Sequence, residues 1–205
     1  MSDKWVEWAR RIQALAQSGL AFTKDEFDLE RYRELRKISA EIMAEYTDSK
    51  MEAIQELFSQ EIGYQTPKVD VRGVVFREGK ILLVKEKMDD KWALPGGFCD
   101  VGLSPTENVV KELKEETGFS VKAVKLLAVL DTDKDPKQTQ PFHFYKLFIQ
   151  CDIVGGEAES GTETKAVAFF DEGQLPPLSL RRNTESQLRM LFEYSRNPDK
   201  STMVD

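Results

Sequence analysis

GFCDVGLSPTENVVKELKEETGF, from Gly97 to Phe119, carries the densest structural instruction in this chain of 205 residues. Its second half is written as a helix. Ser104 is a natural N-cap, Pro105 suits the first helical position, and Glu107 stands where a capping box needs it. Gly118 closes the helix. At about 100° per residue, Thr106, Val109, Val110, Leu113 and Thr117 share one face, which is expected to bury. Glu112 and Glu116 sit on one shoulder of that face, a turn apart, and Glu115 lies further round. Lys111, Lys114 and Glu107 fall mostly on the solvent side.

Carboxylates so placed repel one another by roughly 0.2–0.5 kcal/mol per i,i+3 or i,i+4 pair. Setting two of them beside a buried stripe adds desolvation. A solvated helix laced with Glu107–Lys111 and Lys111–Glu115 pairs would tolerate some of this. A helix that offers oxygen ligands to a hard cation requires it, because those ligands must converge from a rigid element.

Trp92-Ala-Leu-Pro-Gly-Gly97 is a turn-rich approach to the helix. Before it, Val69–Phe76 and Ile81–Glu86 flank the turn Arg77-Glu-Gly-Lys80 and read as a hairpin. After it, Val121–Leu130 and Phe142–Val154 are long β-like segments separated by a polar loop, Asp131–Pro141. A Gly- and Glu-rich loop, Gly155–Thr164, leads to a strand at Ala166–Phe170. Thr184-x-x-Gln187 caps a last helix that runs to about Ser195. The tail after Asn197 is expected to be disordered.

Residues 1 to 65 read as helices. The apolar stripes are Trp5, Trp8, Ala9, Ile12, Leu15, Ala16, then Leu29, Tyr32, Leu35, Ile38, Ile42, Met43, Tyr46, then Met51, Ile54, Leu57, Phe58. Gly19 is the expected stop of the first. Ser49-x-x-Glu52 is the expected capping box of the third, with Gly63 at its end. Three helices in so short a segment rarely hold a core alone. Residues 1–65 are therefore expected to dock on the rest of the chain or on a second copy, and residues 66–205 to form the larger domain.

At 40% hydrophobic and 32% charged, the composition is that of a globular protein. No stretch approaches the roughly 20 apolar residues of a membrane span, and the first residues lack the apolar core of a secretory signal. Cys99 and Cys151 are isolated and show no metal-type spacing, so free thiols in a cytoplasmic setting are expected. A net charge of −7 argues against a long nucleic-acid footprint, though not against a short RNA end. With His143 the only histidine, a multi-histidine zinc site is excluded and a carboxylate is the expected general base. An acidic protein acting on phosphates needs local positive charge, which a divalent cation supplies.

The order Gly97, loop, capped helix, Lys111-Glu-Leu-x-Glu-Glu-x-Gly-Phe119 resembles the Nudix box, Gly-x5-Glu-x7-Arg-Glu-apolar-x-Glu-Glu-x-Gly-apolar. The matches are Gly97, Glu112, Leu113, Glu115, Glu116, Gly118 and Phe119. The preceding Trp92-x-Leu-Pro-Gly-Gly97 is also typical of that family. Two positions depart: Leu103 stands in place of the first Glu, and Lys111 in place of the Arg. Lys lacks the bidentate fork of Arg, so the hydrogen bonds around the site need not follow the family. The resemblance implies an α+β fold, a Nudix α/β/α sandwich with a mixed sheet after a small all-helical domain. It implies hydrolysis of a nucleoside diphosphate linked to another group. Glu112 and Glu116 would ligate Mg2+ (or Mn2+), with Glu115 assisting and the Gly97 carbonyl completing the shell. The base would be a box acid or an acid on the loop before the last strand, where Glu163 fits.

Substrate contacts have two readings each. Arg72, alone in an apolar strand, either clamps a phosphate or is an edge-strand surface arginine. Phe142-His143-Phe144-Tyr145 either stacks a base or packs in a core, with His143 and Tyr145 the candidate contacts. Asp131 and Lys134 either read the ligand or are exposed loop residues. The helical extension resembles the Nudix subgroup that carries a helical N-terminal domain, and the apolar stripes above fit a homodimer through it. Asp100–Asn108 resembles bacterial CDP-choline pyrophosphatases, which implies CDP-choline giving CMP and phosphocholine. ADP-ribose or nucleotide-sugar cleavage, trimming of short RNA ends, and a non-catalytic nucleotide-sensing module remain the alternatives.

Overall fold

The computed structural model describes every residue except Met1, Pro136, Lys137 and Thr139. The chain forms two compact units: Met1–Pro67 with Thr139–His143, and Lys68–Gln138 with Phe144–Asp205. Among the described residues, no helix is long and apolar enough to cross a membrane.

In the smaller unit α1 (Ser2–Phe22), α2 (Glu26–Tyr46) and α3 (Met51–Ser59) follow one another. Their core is Val6, Ala9, Ala40, Met43, Ile54 and Phe58. The Ser39 hydroxyl ties α2 to α1 by donating to the Ala9 carbonyl at 2.7 Å. Three expected helix signals are corrected. Gly63 does not end α3, which closes at Ser59 with Gln60 as its C-cap. Gly19 does not stop α1, which continues to Phe22; a Cβ at Gly19 would lie 2.4 Å from the Tyr32 ring, so this glycine serves a close approach to α2. Ser49 is not the cap of α3; Lys50 is, and without a side-chain hydrogen bond. Trp5, Trp8 and Leu15 are exposed, and the Trp5 ring stacks on Tyr46 with centroids 5.7 Å apart.

The larger unit contains strands β1 (Lys68–Val74), β2 (Phe76–Arg77), β3 (Lys80–Glu86), β4 (Trp92–Ala93), β5 (Ser120–Asp131), β6 (Phe144–Gly155), β7 (Thr164–Phe170) and β8 (Met203–Val204), with helices α4 (Pro105–Thr117) and α5 (Glu185–Arg196). One mixed sheet has the order β1-β6-β5-β8, with β1–β6 and β5–β8 parallel and β5–β6 antiparallel. In the other sheet β2, β4 and β7 all pair antiparallel with β3. The expected single strand Val69–Phe76 is divided between them: β1 joins the first sheet and β2 the second, with the change at Val75. The hairpin turn is Glu78-Gly79, with φ of 52° and 76°, the left-handed pair that a tight two-residue turn demands.

Alternation along β3 places the layers. Ile81 and Leu83 pack with Phe148, Leu188, Leu191 and Phe192 of the α5 side. Leu82 packs with Val71, Val109 and Leu113 of the α4 side. Successive strand residues face opposite ways, so α4 and α5 cover opposite faces of the β layer, an α/β/α sandwich. A Cβ at Gly73 would meet Leu113 at 2.4 Å, so α4 lies close against β1.

The tail is ordered, contrary to expectation. β8 pairs with Ala128 and Val129 of β5. The Tyr194 hydroxyl donates to the Ser201 carbonyl, and the Thr202 hydroxyl to that of Leu126, each at 2.8 Å. The open edge of β5 offers backbone partners that the tail's own sequence does not reveal.

Candidate active site

Helix α4 is fixed at both ends. The Ser104 side chain accepts from the Glu107 amide while Glu107 accepts from the Ser104 amide at 2.8 Å, completing the capping box. Gly118 ends the helix at φ 74°. Thr106, expected to bury, is exposed; Asn108 is buried instead. Asn108 accepts from the Asp100 amide at 2.8 Å and donates to the carbonyls of Leu103 and Ser104, so it laces the preceding loop to the helix. Leu103, at the variant box position, sits partly exposed in that loop.

The diglycine turn runs along β1. Val71 donates to the Gly97 carbonyl at 2.9 Å and Gly73 to that of Pro95 at 2.8 Å. Gly96 has φ 138°, and a Cβ there would lie 2.1 Å from the Val71 carbonyl oxygen, so only glycine fits. Its amide donates to Glu116 Oε2 at 2.8 Å. The Glu112 carboxylate oxygens lie 3.3–3.4 Å from the Cβ position of Gly97. The turn thus meets both helix acids.

A second loop presses on the far end of α4. A Cβ at Gly161 would meet the Glu115 carbonyl oxygen at 2.0 Å. The Thr164 hydroxyl donates to the Glu116 carbonyl at 2.9 Å and accepts from the Gly161 amide at 2.8 Å. Lys87 donates to the Thr162 carbonyl at 2.7 Å. These bonds bring Glu163 to α4 from 47 residues beyond Glu116 in sequence, by their numbering.

The result is a cleft of about 650 Å³ lined by Arg72, Gly97, Glu112, Glu115, Glu116 and Glu163, together with Gly96, Phe98, Lys111, Gly161, Thr162 and Arg182. Asp131, Lys134 and Tyr145 are not brought to it. Asp131 accepts from the Asp133 amide at 2.9 Å, Lys134 is exposed, and Tyr145 lies on β6 opposite Asp131. His143 belongs to the smaller unit. Arg72 matches neither of its two expected descriptions fully. It is buried rather than on a surface edge, and Asp70 grips Nε and Nη2 at 2.9–3.1 Å while the Leu94 carbonyl accepts from Nη1. It still contributes to the cleft wall.

Burial pushes Glu116 up to about 7, against the opposing pull of the Gly96 amide and Arg72. Burial also raises Glu112, against Lys111. Lys111 itself bonds Asp100 at 2.8 Å and lies 3.6 Å from Glu115, on the exposed side, where it pairs with neither Glu112 nor Glu116. No Lys or Arg among the described residues makes an ion pair with Glu112 or Glu116. Hard oxygen donors, desolvated and without a cationic side chain, fit a divalent cation.

Three cleft features were not read from the sequence. Phe98 is 60% exposed and stacks on Phe144 at 5.4 Å with rings 15° from parallel. Arg182 enters from the loop before α5. Glu86, buried at the end of β3, holds Arg182 with Oε2–Nη2 at 2.9 Å. The double arginine Arg181-Arg182 was the one local signal for the second of these; Glu86 ends an apolar strand and carries none.

Residues 3–58 match the family described as UDP-X-like, N-terminal oligomerisation domain, and residues 66–192 match the NUDIX domain family. The chain is 58% identical over 205 residues to a Bacillus subtilis protein named "Putative ADP-ribose pyrophosphatase YjhB", covering 100% of this chain and 99% of the relative. A crystal structure of a UDP-X diphosphatase is 37% identical with a TM-score of 0.65, covering 100% of this chain and 99% of that one. That of an ADP-ribose pyrophosphatase from Streptococcus suis is 46% identical with a TM-score of 0.63, covering 68% of this chain and all of the other. With the acidic helix, the diglycine turn and the sandwich all in place, the chain belongs to the Nudix family and is a Nudix pyrophosphohydrolase that carries the UDP-X-like N-terminal domain.

Proposed function

We propose that this protein hydrolyses the pyrophosphate bond of a nucleoside diphosphate linked to another moiety, with ADP-ribose the first substrate to test. One observation carries the reading: Glu112 and Glu116 are desolvated on a rigid helix, in a cleft, with no cationic side chain among the described residues to pair them. They and the Gly97 carbonyl would hold Mg2+ or Mn2+, with Glu115 at the exposed rim. When bound, such a cation neutralises diphosphate charge and acidifies water. Glu163, exposed on a pinned loop that lines the cleft, would take the proton. Phe98, backed by Phe144, offers a flat face for a base.

The choice of ADP-ribose over UDP-X compounds leans on the name of the 58% identical full-length relative, against that of the 37% identical full-length structure. The run Asp100–Asn108 favours CDP-choline instead, and it is the one sequence feature that does so. Exposed Trp5, Trp8 and Leu15 on α1 support a homodimer through the helical unit; sedimentation would read it directly. Free Cys99 and Cys151 are consistent with a cytoplasmic setting.

The deciding experiment is a substrate panel with Mg2+ or Mn2+: ADP-ribose, UDP-sugars, CDP-choline, dinucleoside polyphosphates and a short RNA. Glu112→Gln is the control. Turnover of a linked nucleoside diphosphate that disappears in the variant is the expected result. No turnover of any pyrophosphate with either metal would sink the reading, and turnover of RNA alone would replace it. Running the reaction in 18O-water identifies the attacked phosphorus.

A further inference from the structure

The loop before α5 presents one guanidinium to the cleft, and the fold commits two buried ionisable side chains to holding it. Arg182 lines the cleft with Glu112, Glu116 and Glu163. Glu86 is 1% exposed; its Oε2 is 2.9 Å from Arg182 Nη2, and its buried Oε1 has no hydrogen-bond partner among the described residues. Lys146 is 2% exposed and donates to the carbonyls of Arg181 and Arg182. The neighbours of Arg182 are held as well. Ser179 bonds Trp92 and Asp89, the Leu180 carbonyl accepts from Gln138, and Asn183 accepts from the Leu94 amide.

Burying an ionised group is costly, and apolar contacts would close a loop more cheaply. Two buried ionisable groups committed to one arginine, Glu86 at its guanidinium and Lys146 at its backbone carbonyl, make sense as pre-orientation of that arginine. The other cations of the cleft are committed elsewhere: Arg72 to Asp70 and Leu94, Lys111 to Asp100 and Glu115. Arg182 meets Glu86 through a single nitrogen, and the rest of its fork has no partner among the described residues. A guanidinium fork matches a pair of phosphate oxygens, which a lysine does not.

We propose that Arg182 binds non-bridging oxygens of the substrate's diphosphate, and that Glu86 is the positioning residue that aims it; the ligand class rests on the pyrophosphatase reading. Lys146 fixes the backbone that carries Arg182.

The test is calorimetric titration of methylenediphosphonate, a diphosphate that cannot be hydrolysed at the bridge, into the full chain in excess Mg2+. Arg182→Ala is expected to weaken binding by about ten- to a hundredfold, with Arg182→Lys between it and the parent. KM should rise in parallel, while Mg2+ affinity without phosphate is not weakened. Glu86→Gln should weaken binding in the parent and add nothing in an Arg182→Ala background. A merely structural Glu86 would weaken both backgrounds alike, and that result refutes the positioning role. If Glu86→Gln does not fold, Glu86→Asp keeps the charge, shortens its reach and answers the same question. Unchanged affinity in Arg182→Ala overturns the proposal. If the parent turns over no nucleotide pyrophosphate but loses diphosphonate binding with Arg182, the function fails and the anion site stands. Turnover by the parent with no loss of binding in Arg182→Ala gives the reverse.

Discussion

Replacing Glu116 with Gln should make the metal-free protein more stable at the pH where the enzyme works. Glu116 is 6% exposed, and burial lifts it from 4.5 to about 7. The folded state therefore binds a proton that the unfolded state has released between about pH 4.5 and 7. Stability falls as pH rises wherever the folded state holds more protons, so this group's contribution drops through that window and is flat above it. A pKa unit corresponds to about 1.4 kcal/mol, which puts the loss at about 3 kcal/mol by pH 8. Gln keeps an oxygen for the Gly96 amide and carries no charge, so it imitates protonated Glu116. For a chain of this size about 3 kcal/mol is a melting shift of roughly 6–12 °C. The assay is thermal unfolding in chelator, parent against Glu116→Gln, from pH 4.5 to 8.5. The two curves should converge near pH 4.5 and separate in favour of the variant above pH 7. Added Mg2+ should close the gap by stabilising the parent more than the variant, since a bound ligand stabilises by mass action. A gap independent of pH, or a variant less stable at pH 8, would refute the claim that this carboxylate is desolvated without a cationic partner among the described residues.

Glu163→Gln should lower kcat by about 10²–10⁴-fold, the range for loss of a general base, with Mg2+ affinity retained by calorimetry; an unchanged kcat moves the base into the helix acids. Phe98→Ala should raise KM for the nucleotide by roughly 5- to 150-fold, from about 1–3 kcal/mol of stacking, and leave the melting temperature nearly unchanged because the ring is 60% exposed. Equal KM values would remove Phe98 from base recognition. Gly96→Ala should destabilise the larger unit by more than about 2 kcal/mol, because its Cβ would lie 2.1 Å from the Val71 carbonyl oxygen at a φ of 138°; denaturant unfolding reads this, and a variant as stable as the parent would show that the turn can shift.

Helix α4 could be read almost residue by residue because its signals are local. Ser104, Pro105, Glu107 and Gly118 act on backbone groups within a turn of themselves, and the spacing of Glu112 and Glu116 follows from helical geometry alone. The long strands were legible for the same kind of reason, as runs of apolar β-formers. What stayed hidden depends on partners distant in sequence. Whether Val69–Phe76 is one strand or two is decided by which neighbours β1 and β2 find, and the tail becomes a strand only because β5 leaves an edge open. Gly19 reads locally as a stop because a glycine's packing role exists only once Tyr32 lies against it.

The same division runs through the cleft. Glu112 and Glu116 share one helix, so their spacing by itself determined that they converge. Arg72 could not be assigned between clamp and surface because its burial and its bond to the Leu94 carbonyl arise from the turn Leu94–Gly97 folding over β1, although its other partner, Asp70, stands only two residues away on the same strand. Glu86 and Arg182 stand 96 positions apart by their numbering, on a strand end and a loop. No propensity or period links them; only the closing of the sandwich brings their charges together, where burial gives the contact its strength and its cost.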